Sequence, residues 1–277
     1  MPSLEKIIRE NHKLRRLAEI PYFWLSAFGI DPLKLIRSIG GLPVVIKEYV
    51  TLKKQNRETG NRYKLKFNSP CPHDKYAPGG AGSGHYFHQD LLVARRIFQR
   101  KPIKHVDVGS RVDGFVAHVA SFRTIEVFDI RPQSAPISNI VFKQVDFMHP
   151  KIELTAYCDS LSSLHALEHF GLGRYGDPIN INGHLLGLDN LYKILQPNGV
   201  LYLSVPIGSE RIDFNSHRVF AIQTILETTN DRFELIRFSY VDDKGDFHEN
   251  IKLDSQNIHS NCGCYYGCGI FEFKKVK

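Results

Sequence analysis

The residues of this chain best suited to chemistry begin with the segment HVDVGSRVDG, His105 to Gly114. A short apolar run ends at Val108, and the polar turn after it leads into a helical pattern. At such a strand–turn–helix junction, backbone N–H groups at the helix start point into a crevice that binds nucleotides. Gly109 lets the backbone approach a ligand closely, and Asp107 is placed to accept hydrogen bonds within the turn. The segment therefore predicts one side of a nucleotide site.

Two further carboxylates follow at the ends of the next two apolar runs. Asp129 ends the run EVFD twenty residues after Gly109, where an acidic side chain is placed to accept both ribose hydroxyls. Asp146 ends the next run and is placed to meet an adenine amino group. An Asp at a strand end also commonly caps the following helix. Three such residues around one glycine turn favour a nucleotide site over three unrelated caps.

The surrounding pattern alternates between strands and helices, which positions these residues along one edge of a sheet. We predict strands over residues 103–108, 124–128, 140–145, 154–161, 200–205, 233–240 and 269–274, and helices over residues 86–100, 112–121, 183–195 and 216–228. Such alternation is typical of an α/β fold with a mostly parallel sheet and helices on both faces. Residues 67–277 are thus predicted to form a Rossmann-like domain with a seven-stranded sheet.

A helical N-terminal extension over residues 1–66 is predicted to precede this domain. Amphipathic spacing predicts a helix over residues 1–18, a second helix that begins at Pro32 and ends at Gly40, and a third that begins at Pro43.

The basic excess of the chain lies entirely in this extension. Residues 1–66 hold 14 Lys and Arg against 6 Asp and Glu, whereas the remaining residues hold 22 against 23. One interpretation is a solvated helical face. The other is attraction of residues 1–56 to an acidic membrane surface, with Trp24 near flanking Lys and Arg. No nucleic-acid recognition motif is present, so no nucleic acid is expected as a partner.

Composition limits the remaining classes of protein. The 277 residues are 42% hydrophobic and 23% charged, which is typical of a globular protein. No apolar run reaches the roughly 18 residues that a membrane-spanning helix needs. The five cysteines form an odd set, which does not fit a secreted disulfide framework and indicates a reducing compartment. We therefore expect a cytoplasmic protein, with membrane contact at most peripheral.

The segment from Cys158 to Ile179, CDSLSSLHALEHFGLGRYGDPI, carries a more specific pattern. Asp159 lies on the fourth strand, and the triplet Leu167-Glu168-His169 follows about nine residues on. A Leu-x-Pro-x-Gly turn at residues 195–199 then leads into the strand VLYLSVP. This order resembles class I S-adenosylmethionine-dependent methyltransferases. The resemblance implies a Rossmann-like methyltransferase fold with S-adenosylmethionine as the cofactor.

Longer blocks resemble a family classed as a domain of unknown function, whose members are often found among surface-polysaccharide biosynthesis genes. The blocks are GSGHYFHQDL, HVDVGSRVDGF, SSLHALEHFGLGRYGDPI and SVPIG followed by FNSHRVF, over about residues 80–250. The methyltransferase turn is usually Asp-x-Gly-x-Gly-x-Gly, but here Arg111 and Asp113 stand at the second and third glycine positions. One interpretation is that Arg111 binds the methionine carboxylate. The alternative is a pocket that holds another nucleotide or nothing.

The resemblance also implies which residues contact the cofactor. They lie in the first turn and along the next three strand ends, and are Asp107, Gly109, Ser110, Arg111, Asp129, Ile130, Asp146, Phe147 and Ser163.

Methyl transfer to a hydroxyl requires alignment of the acceptor and removal of its proton. The base should lie beyond the end of the fourth strand, where His165, Glu168 and His169 occur. His169 is our first choice as base, with Glu168 orienting it, and His165 would share its face on a helical turn. The alternative is that Glu168 caps a helix and His169 is a packed, hydrogen-bonded histidine.

Two polar loops are predicted to meet over the acceptor, because both rise from the carboxyl edge of the sheet. With the start of the helix at residue 86, they supply the expected substrate-binding side chains Tyr86, His88, Arg174, Tyr175, Asp177, Asn215, His217 and Arg218. A polar wall with arginine and aromatic side chains suits a sugar or a nucleotide-linked sugar. The alternative is that these residues stabilise turns.

No metal site is predicted. His259, Cys262, Cys264 and Cys268 have the spacing H-x2-C-x-C-x3-C, which lacks the paired C-x2-C of common zinc sites. Small residues entering a buried last strand explain this group as well. The sequence HALEH likewise supplies few ligands at a suitable geometry.

Together these patterns predict a methyltransferase that acts on a hydroxyl of a sugar, nucleotide-sugar or glycan intermediate in surface-polysaccharide biosynthesis. The missing turn glycines leave open a non-catalytic binding or scaffold protein of the same fold in glycan assembly. A transferase that uses a nucleotide-sugar in the same crevice is the third interpretation.

Overall fold

The structure is a computed structural model that describes residues 12–75, 77, 79–80, 82–133, 135–150 and 154–276. Most of the helix predicted over residues 1–18 lies outside the described residues. The chain divides after Gly80 into two compact units. Within the described residues, no helix combines the length and the hydropathy needed to cross a membrane.

The described part of the first unit contains two helices, α1 (His12–Ala27) and α2 (Pro32–Glu58). The start of α2 is as predicted, because the side chain of Asp31 accepts a hydrogen bond from the N–H of Lys34 at 3.0 Å and Pro32 lies in the first turn.

The two helices predicted on either side of Gly40 are in fact one, so this prediction is wrong. α2 continues through Gly41 and Pro43 without interruption. A Cβ added to Gly41 would lie 1.9 Å from the carbonyl oxygen of Pro72, so this glycine admits the later loop against the helix rather than ending it. Local propensity predicted a break that packing does not require.

The second unit is a sheet of eight strands with helices on both faces and a separate two-stranded pair. Its strands are β1 (His105–Val108), β2 (Ile125–Asp129), β3 (Ile140–Gln144), β4 (Cys158–Leu164), β5 (Leu195–Ile207), β6 (Arg211–Asp213), β7 (His217–Val219), β8 (Phe233–Val241), β9 (Phe247–His248) and β10 (Gly267–Lys275). Its helices are α3 (His85–Arg100), α4 (Ala117–Ala120), α5 (Gly183–Ile194), α6 (Ile222–Thr229) and α7 (Ser255–His259), with a π-helical turn at Val112–Val116 and 3-10 turns at Leu167–His169 and Asn261–Gly263.

The strand order of the main sheet is β3-β2-β1-β4-β5-β10-β8-β9. Strands β1 to β5 are parallel, whereas β10 is antiparallel to both β5 and β8. The order reverses between β1 and β4, which opens a crevice at the carboxyl ends of the strands. The predicted Rossmann-like α/β fold is confirmed. The sheet has eight strands rather than seven, because the two-residue strand β9 pairs with β8 at the edge.

Two hydrophobic layers hold the helices against the sheet. On one face, Leu191 of α5 and Ile225 of α6 belong to a core cluster with Leu201 of β5. On the other face, Ile97 of α3 packs in a second cluster that includes Val127 of β2. The central strands are therefore buried on both faces, which is why they read as short apolar runs.

Two predicted elements lie elsewhere along the chain. The strand predicted over residues 154–161 is found at Cys158–Leu164. Its serines are buried and form hydrogen bonds to side chains of the neighbouring strand β1, so polar residues continue the strand beyond its predicted end. The helix predicted over residues 216–228 begins only at Ile222, and the segment before it pairs with β6 as β7.

Candidate functional site

The carboxyl ends of β1 to β4 open into a cleft of about 1030 Å³ within the second unit. The turn after β1 and the residues that follow β2 and β3 form one side, and residues 165–177 after β4 contribute the other. Four adjacent strand ends thus meet in one cleft, as expected for an open parallel sheet.

Gly109 shapes the first turn of this cleft. Its φ is +76°, and its N–H donates to the carbonyl of Phe128 at 2.9 Å. A Cβ at this position would lie 2.8 Å from the Cβ of Ala166 on the opposite side. A side chain would therefore strain the backbone and clash across the cleft. Gly109 lines the cleft at the position predicted for cofactor contact.

Asp107 and Ser110 turn inward from the same turn and do not line the cleft. The Asp107 carboxylate accepts hydrogen bonds from the Ser110 N–H at 3.0 Å, the Ser110 hydroxyl at 2.6 Å and the Ser162 hydroxyl at 2.5 Å. The structure thus assigns both residues to holding the turn, not to the predicted cofactor contacts.

A buried polar network continues from Ser162 beneath the turn. The Ser162 hydroxyl lies 3.2 Å from Nε2 of His105, whose Nδ1 lies 2.8 Å from the Ser160 hydroxyl. Burial lowers the pKa of His105 to about 3. Burial also raises the pKa of Asp107 to about 7, although hydrogen bonds from the serines oppose this shift. Sequence reasoning missed the network, because a serine-rich segment gives no local signal of burial.

Arg111 lines the cleft where the turn departs from the three-glycine pattern. Its guanidinium donates to both carboxylate oxygens of Asp113, at 3.0 and 2.7 Å, and lies 5.2 Å from the ring centre of Tyr86. The Arg111 side chain is 55% exposed, so this ion pair contributes little to stability. An anionic ligand in the cleft would compete with Asp113 for the guanidinium at small cost.

Asp129 ends β2 at the cleft, as predicted, but its carboxylate is already engaged. Arg131 donates to Oδ1 from its backbone N–H at 2.8 Å and from Nε at 2.9 Å, and to Oδ2 from Nη2 at 2.5 Å. The guanidinium also lies 4.5 Å from the ring centre of Tyr175. Sequence reasoning missed Arg131, for which the only signal was a basic residue two positions after the acid.

Three other predicted cofactor contacts line the cleft, and one does not. Ile130, Asp146 and Phe147 lie at the ends of β2 and β3 on its wall. Asp146 accepts a hydrogen bond from the N–H of Met148 at 2.9 Å, which fixes the turn after β3. Ser163, by contrast, is fully buried within β4 away from the cleft wall, and its hydroxyl has no hydrogen-bond partner in the part of the chain that the structure describes.

The segment after β4 does not form the helical turn that the sequence suggested. His165 has a φ of +50° and precedes the 3-10 turn, so it shares no helix face with His169. Oε1 of Glu168 lies 2.7 Å from Nδ1 of His165 but 3.8 Å from Nε2 of His169. Glu168 therefore orients His165 and not, as predicted, His169. Burial lowers the pKa of His165, but electrostatic interaction and hydrogen bonding, first with Cys268 and then with Glu168, raise it well above the usual value.

His169 lines the cleft and is oriented by the backbone. Its Nδ1 donates to the carbonyl of Ser216 at 2.6 Å, so the lone pair of the neutral ring lies on Nε2. Burial lowers the pKa of His169 below its usual 6.5, although the charge of Glu168 opposes this. The ring is therefore neutral near pH 7 and offers a nitrogen that can accept a proton.

Half of the predicted acceptor-binding residues line the cleft, namely Tyr86, Arg174, Tyr175 and Asp177. Arg174 donates to the Ser216 carbonyl at 2.9 Å, and its guanidinium lies 5.2 Å from the Tyr175 ring centre. The Asp177 carboxylate accepts three backbone N–H groups between residues 171 and 175. Asp177 thus holds the loop, while Arg174 and Tyr175 form a polar and aromatic wall.

Three predicted acceptor-binding residues point to other parts of the unit. His88 stacks on Phe247, with ring centres 5.1 Å apart, and His217 packs 5.0 Å from the ring centre of Tyr266. Asn215 is exposed outside the cleft.

Arg218 is buried and binds the backbone rather than a ligand. Its guanidinium donates to the carbonyl of Phe170 at 2.6 Å and to that of Ile181 at 3.1 Å. It pins the loop that follows β4. The predicted ligand contact is incorrect, because Arg218 lies in strand β7, where it is directed into the protein.

The fold and the cleft define a Rossmann-like α/β protein with a large cleft at the carboxyl ends of its parallel strands. Residues 113–265, more than half of the chain, match the family described as "Caenorhabditis protein of unknown function, DUF268". The chain belongs to this family. The predicted membership in a domain-of-unknown-function family is confirmed.

Several solved structures are similar to this chain at low sequence identity. The 1,6-didemethyltoxoflavin-N1-methyltransferase of Burkholderia thailandensis, solved with 1,6-didemethyltoxoflavin and S-adenosylhomocysteine, is 12% identical over 68% of this chain and 79% of its own, with a TM-score of 0.48. The N-methyltransferase NodS of Bradyrhizobium japonicum WM9, in complex with S-adenosylhomocysteine, is 11% identical over 76% and 94%, with a TM-score of 0.45. The [4+2]-cyclase SpnF is 14% identical over 68% and 81%, with a TM-score of 0.49. Comparison with curated proteins gave no match.

Proposed function

We propose that the chain is an S-adenosylmethionine-dependent methyltransferase that modifies a hydroxyl of a sugar, nucleotide-sugar or glycan intermediate. The supporting observation is that three adjacent parallel strands carry Gly109, Asp129 and Asp146 into one cleft of about 1030 Å³. Ligand pockets commonly measure about 300–1,000 Å³, so this cleft has room for a nucleoside cofactor together with an acceptor.

The residues after β4 supply what the transfer needs from the protein. When bound, S-adenosylmethionine provides a methyl group already activated as a sulfonium. Nε2 of His169 would take the proton of the acceptor hydroxyl as the hydroxyl oxygen receives the methyl group, which would leave His169 as an imidazolium. Arg174 and Tyr175 form the wall that aligns the hydroxyl for in-line attack.

We place this activity in the cytoplasm and in surface-polysaccharide biosynthesis. The support is the resemblance of the sequence blocks to a family found among such genes, together with five cysteines that are all free. The first unit, with its basic excess, is proposed to contact an anionic membrane surface.

Calorimetry with S-adenosylhomocysteine tests the cofactor assignment. We expect one molecule bound per chain, and at least a ~10-fold loss of affinity in Asp129→Ala, because a hydrogen bond to a charged group contributes about 1.5–3 kcal/mol. Asp213→Ala removes a carboxylate outside the cleft and is the matched control. Absence of binding at millimolar ligand, or unchanged affinity in Asp129→Ala, would contradict the assignment.

A second candidate is a transferase that uses a nucleotide-sugar in the same cleft. The observation that favours it is the guanidinium of Arg131 on Asp129, together with Arg111 on the same side of the cleft and Arg174 on the other side. Three guanidinium groups suit a diphosphate, which accepts bidentate hydrogen bonds. Tighter binding of uridine or guanosine diphosphate than of S-adenosylhomocysteine would select this candidate.

A further inference from the structure

We propose that the second unit contains a binding site for a zinc-class divalent cation, formed by His85, His165 and Cys268. These residues come from the start of α3, the end of β4 and strand β10. One ring nitrogen of each histidine and Sγ of Cys268 all lie within 4.8 Å of one another. Two imidazoles and a thiolate are the ligands that Zn²⁺ prefers over Mg²⁺ or Ca²⁺.

The buried Nε2 of His165 also points to a ligand. The His165 side chain is 4% exposed, and among the described residues no group forms a hydrogen bond of regular geometry with Nε2, although the thiol of Cys268 interacts with this ring. Its Nδ1 is held by Oε1 of Glu168 at 2.7 Å. A ligating histidine typically bonds a carboxylate through its other nitrogen, which fixes the ring and raises its basicity. Glu168 and His165 reproduce that arrangement, with Nε2 left for the cation.

The other two ligands are similarly prepared. His85 stacks against His165 with the rings 6° from parallel and their centres 5.3 Å apart. Cys268 is fully buried, and its thiol lies 3.6 Å from the amide oxygen of Gln89. Cation binding releases the thiol proton, and any proton on Nε2 of His165, to solvent.

The spacing requires only a small contraction of the cluster. A tetrahedral zinc ion with bonds of about 2.0–2.3 Å holds its ligands roughly 3.3–3.7 Å apart. Ligand atoms within 4.8 Å therefore approach by about 1 Å, which side-chain rotation provides. Three protein ligands leave a fourth position open, as in catalytic rather than structural zinc sites. Of the three proposed ligands, His165 also lines the cleft.

The site combines two sequence features that are insufficient separately. His165 belongs to the HALEH segment, and Cys268 to the cysteine-rich segment near the C-terminus. Among the described residues, His259, Cys262 and Cys264 join no group of this kind. Only the sheet, in which β10 lies beside β5 and β5 beside β4, brings the two segments together with α3.

Cobalt titration of the full chain, stripped of metal by a chelator and kept reduced, tests this site. We expect one Co²⁺ bound per chain, with a thiolate-to-cobalt charge-transfer band that Cys268→Ser abolishes. Glu168→Gln should weaken the affinity by about 10–100-fold through loss of the carboxylate on His165. Cys264→Ser, a buried thiol outside the cluster, and Cys71→Ser, an exposed thiol, are controls that should keep the band.

The outcomes separate this site from the proposed methyltransferase activity. Circular dichroism establishes that each variant is folded before titration. No Co²⁺ uptake by the folded native chain, or an unchanged band in Cys268→Ser, overturns the cation site. S-adenosylhomocysteine calorimetry on the metal-free chain measures the other proposal, so each fails independently.

Discussion

The guanidinium of Arg131 forms a bidentate ion pair with the carboxylate of Asp129, with Nε 2.9 Å from Oδ1 and Nη2 2.5 Å from Oδ2. The Asp129 side chain is only 7% exposed, whereas that of Arg131 is 40% exposed. Because Arg131 is the more accessible partner, a ribose that binds the Asp129 carboxylate must displace the guanidinium or share the carboxylate oxygens with it. This contact makes Arg131 the residue that distinguishes the candidate ligands.

Replacing Arg131 with Ala releases both oxygens of Asp129. For S-adenosylhomocysteine we expect affinity equal to or higher than that of the native chain, because ribose hydroxyls no longer compete with a charged donor. For a nucleoside diphosphate we expect at least a ~10-fold loss, because a charge-assisted contact to phosphate is removed. Calorimetry with both ligands measures the two effects. A loss of S-adenosylhomocysteine affinity in Arg131→Ala would show that the arginine binds the cofactor itself.

Replacing His169 with Gln should remove the base without disturbing the cofactor. We expect the methyl-transfer rate to drop by about 10²–10⁴-fold, while the affinity for S-adenosylhomocysteine stays unchanged. The rate is measured as the formation of S-adenosylhomocysteine from S-adenosylmethionine in the presence of a panel of sugar and nucleotide-sugar acceptors. His88→Gln, which changes a histidine packed on Phe247, is the control.

The pH profile provides a second measurement of the same base. Burial lowers the pKa of His169 below 6.5, and the active ring is the neutral one. The rate should therefore fall as the pH drops through this lowered value, and remain level at neutral pH. A rate in His169→Gln within a few-fold of the native rate would rule the residue out as the base.

Arg218 should contribute to stability rather than to ligand binding. Its guanidinium is buried on the carbonyls of Phe170 and Ile181, so Arg218→Ala leaves these acceptors without their donor. We expect the free energy of unfolding to fall by about 2–4 kcal/mol in urea denaturation. The exposed neighbour Asn215→Ala should change it by less than about 0.5 kcal/mol. Equal stabilities of the two variants would contradict the role of Arg218.

Asp107 should make stability decrease as the pH rises. In the unfolded chain its carboxyl ionises near the usual 3.8, whereas burial raises the folded-state pKa to about 7. Between these values only the folded state holds the proton, so raising the pH favours unfolding. Asn cannot titrate, so the stability of the native chain relative to Asp107→Asn should fall by at least about 1 kcal/mol from pH 4 to pH 7. A difference that is constant with pH would mean that the carboxyl titrates normally.

The first unit should bind anionic vesicles through exposed aromatic side chains. Trp24 is 67% exposed and Phe28 is 77% exposed. We expect the double variant Trp24→Ser/Phe28→Ser to bind phosphatidylserine-containing vesicles at least ~5-fold more weakly in co-sedimentation, because these rings provide apolar contact at the interface. Tyr63→Ser, at another exposed ring of the unit, is the control. Equal pelleting of all three proteins, or pelleting insensitive to salt, would exclude this contact.

The fold was predictable where local pattern and burial agree. Strands β1, β2 and β3 lie within two residues of their predicted bounds, because short apolar runs between polar turns are typical of buried parallel strands. Strand β4 begins four residues later than predicted. Its serines are buried and form hydrogen bonds to residues such as His105 that are distant in sequence. The sequence predicts two helices in place of α2, because Gly40 and Gly41 indicate a helix end and Pro43 a new start, whereas the structure has one continuous helix.

The candidate site was predictable only in part, for a related reason. Gly109, Asp129 and Asp146 reach the cleft because the carboxyl ends of parallel strands lie at the same edge of the sheet, independently of how the side chains are oriented. The hydrogen bond of Glu168 to His165 depends instead on a backbone turn with a positive φ. No spacing rule indicates that geometry.

The sequence by itself determined that a strand, a glycine turn and two further acidic strand ends would border one crevice. It determined this because the alternation of strands and helices predicts parallel strands, whose carboxyl ends lie at the same edge of the sheet. Only the tertiary structure decided which groups meet there: Arg131 on Asp129, the Ser216 carbonyl on His169, and Cys268 beside His165. The last two contacts join residues from separate elements, and even the first depends on which way a turn directs its side chain. Their distances are set by how the sheet and loops pack, which no local pattern encodes.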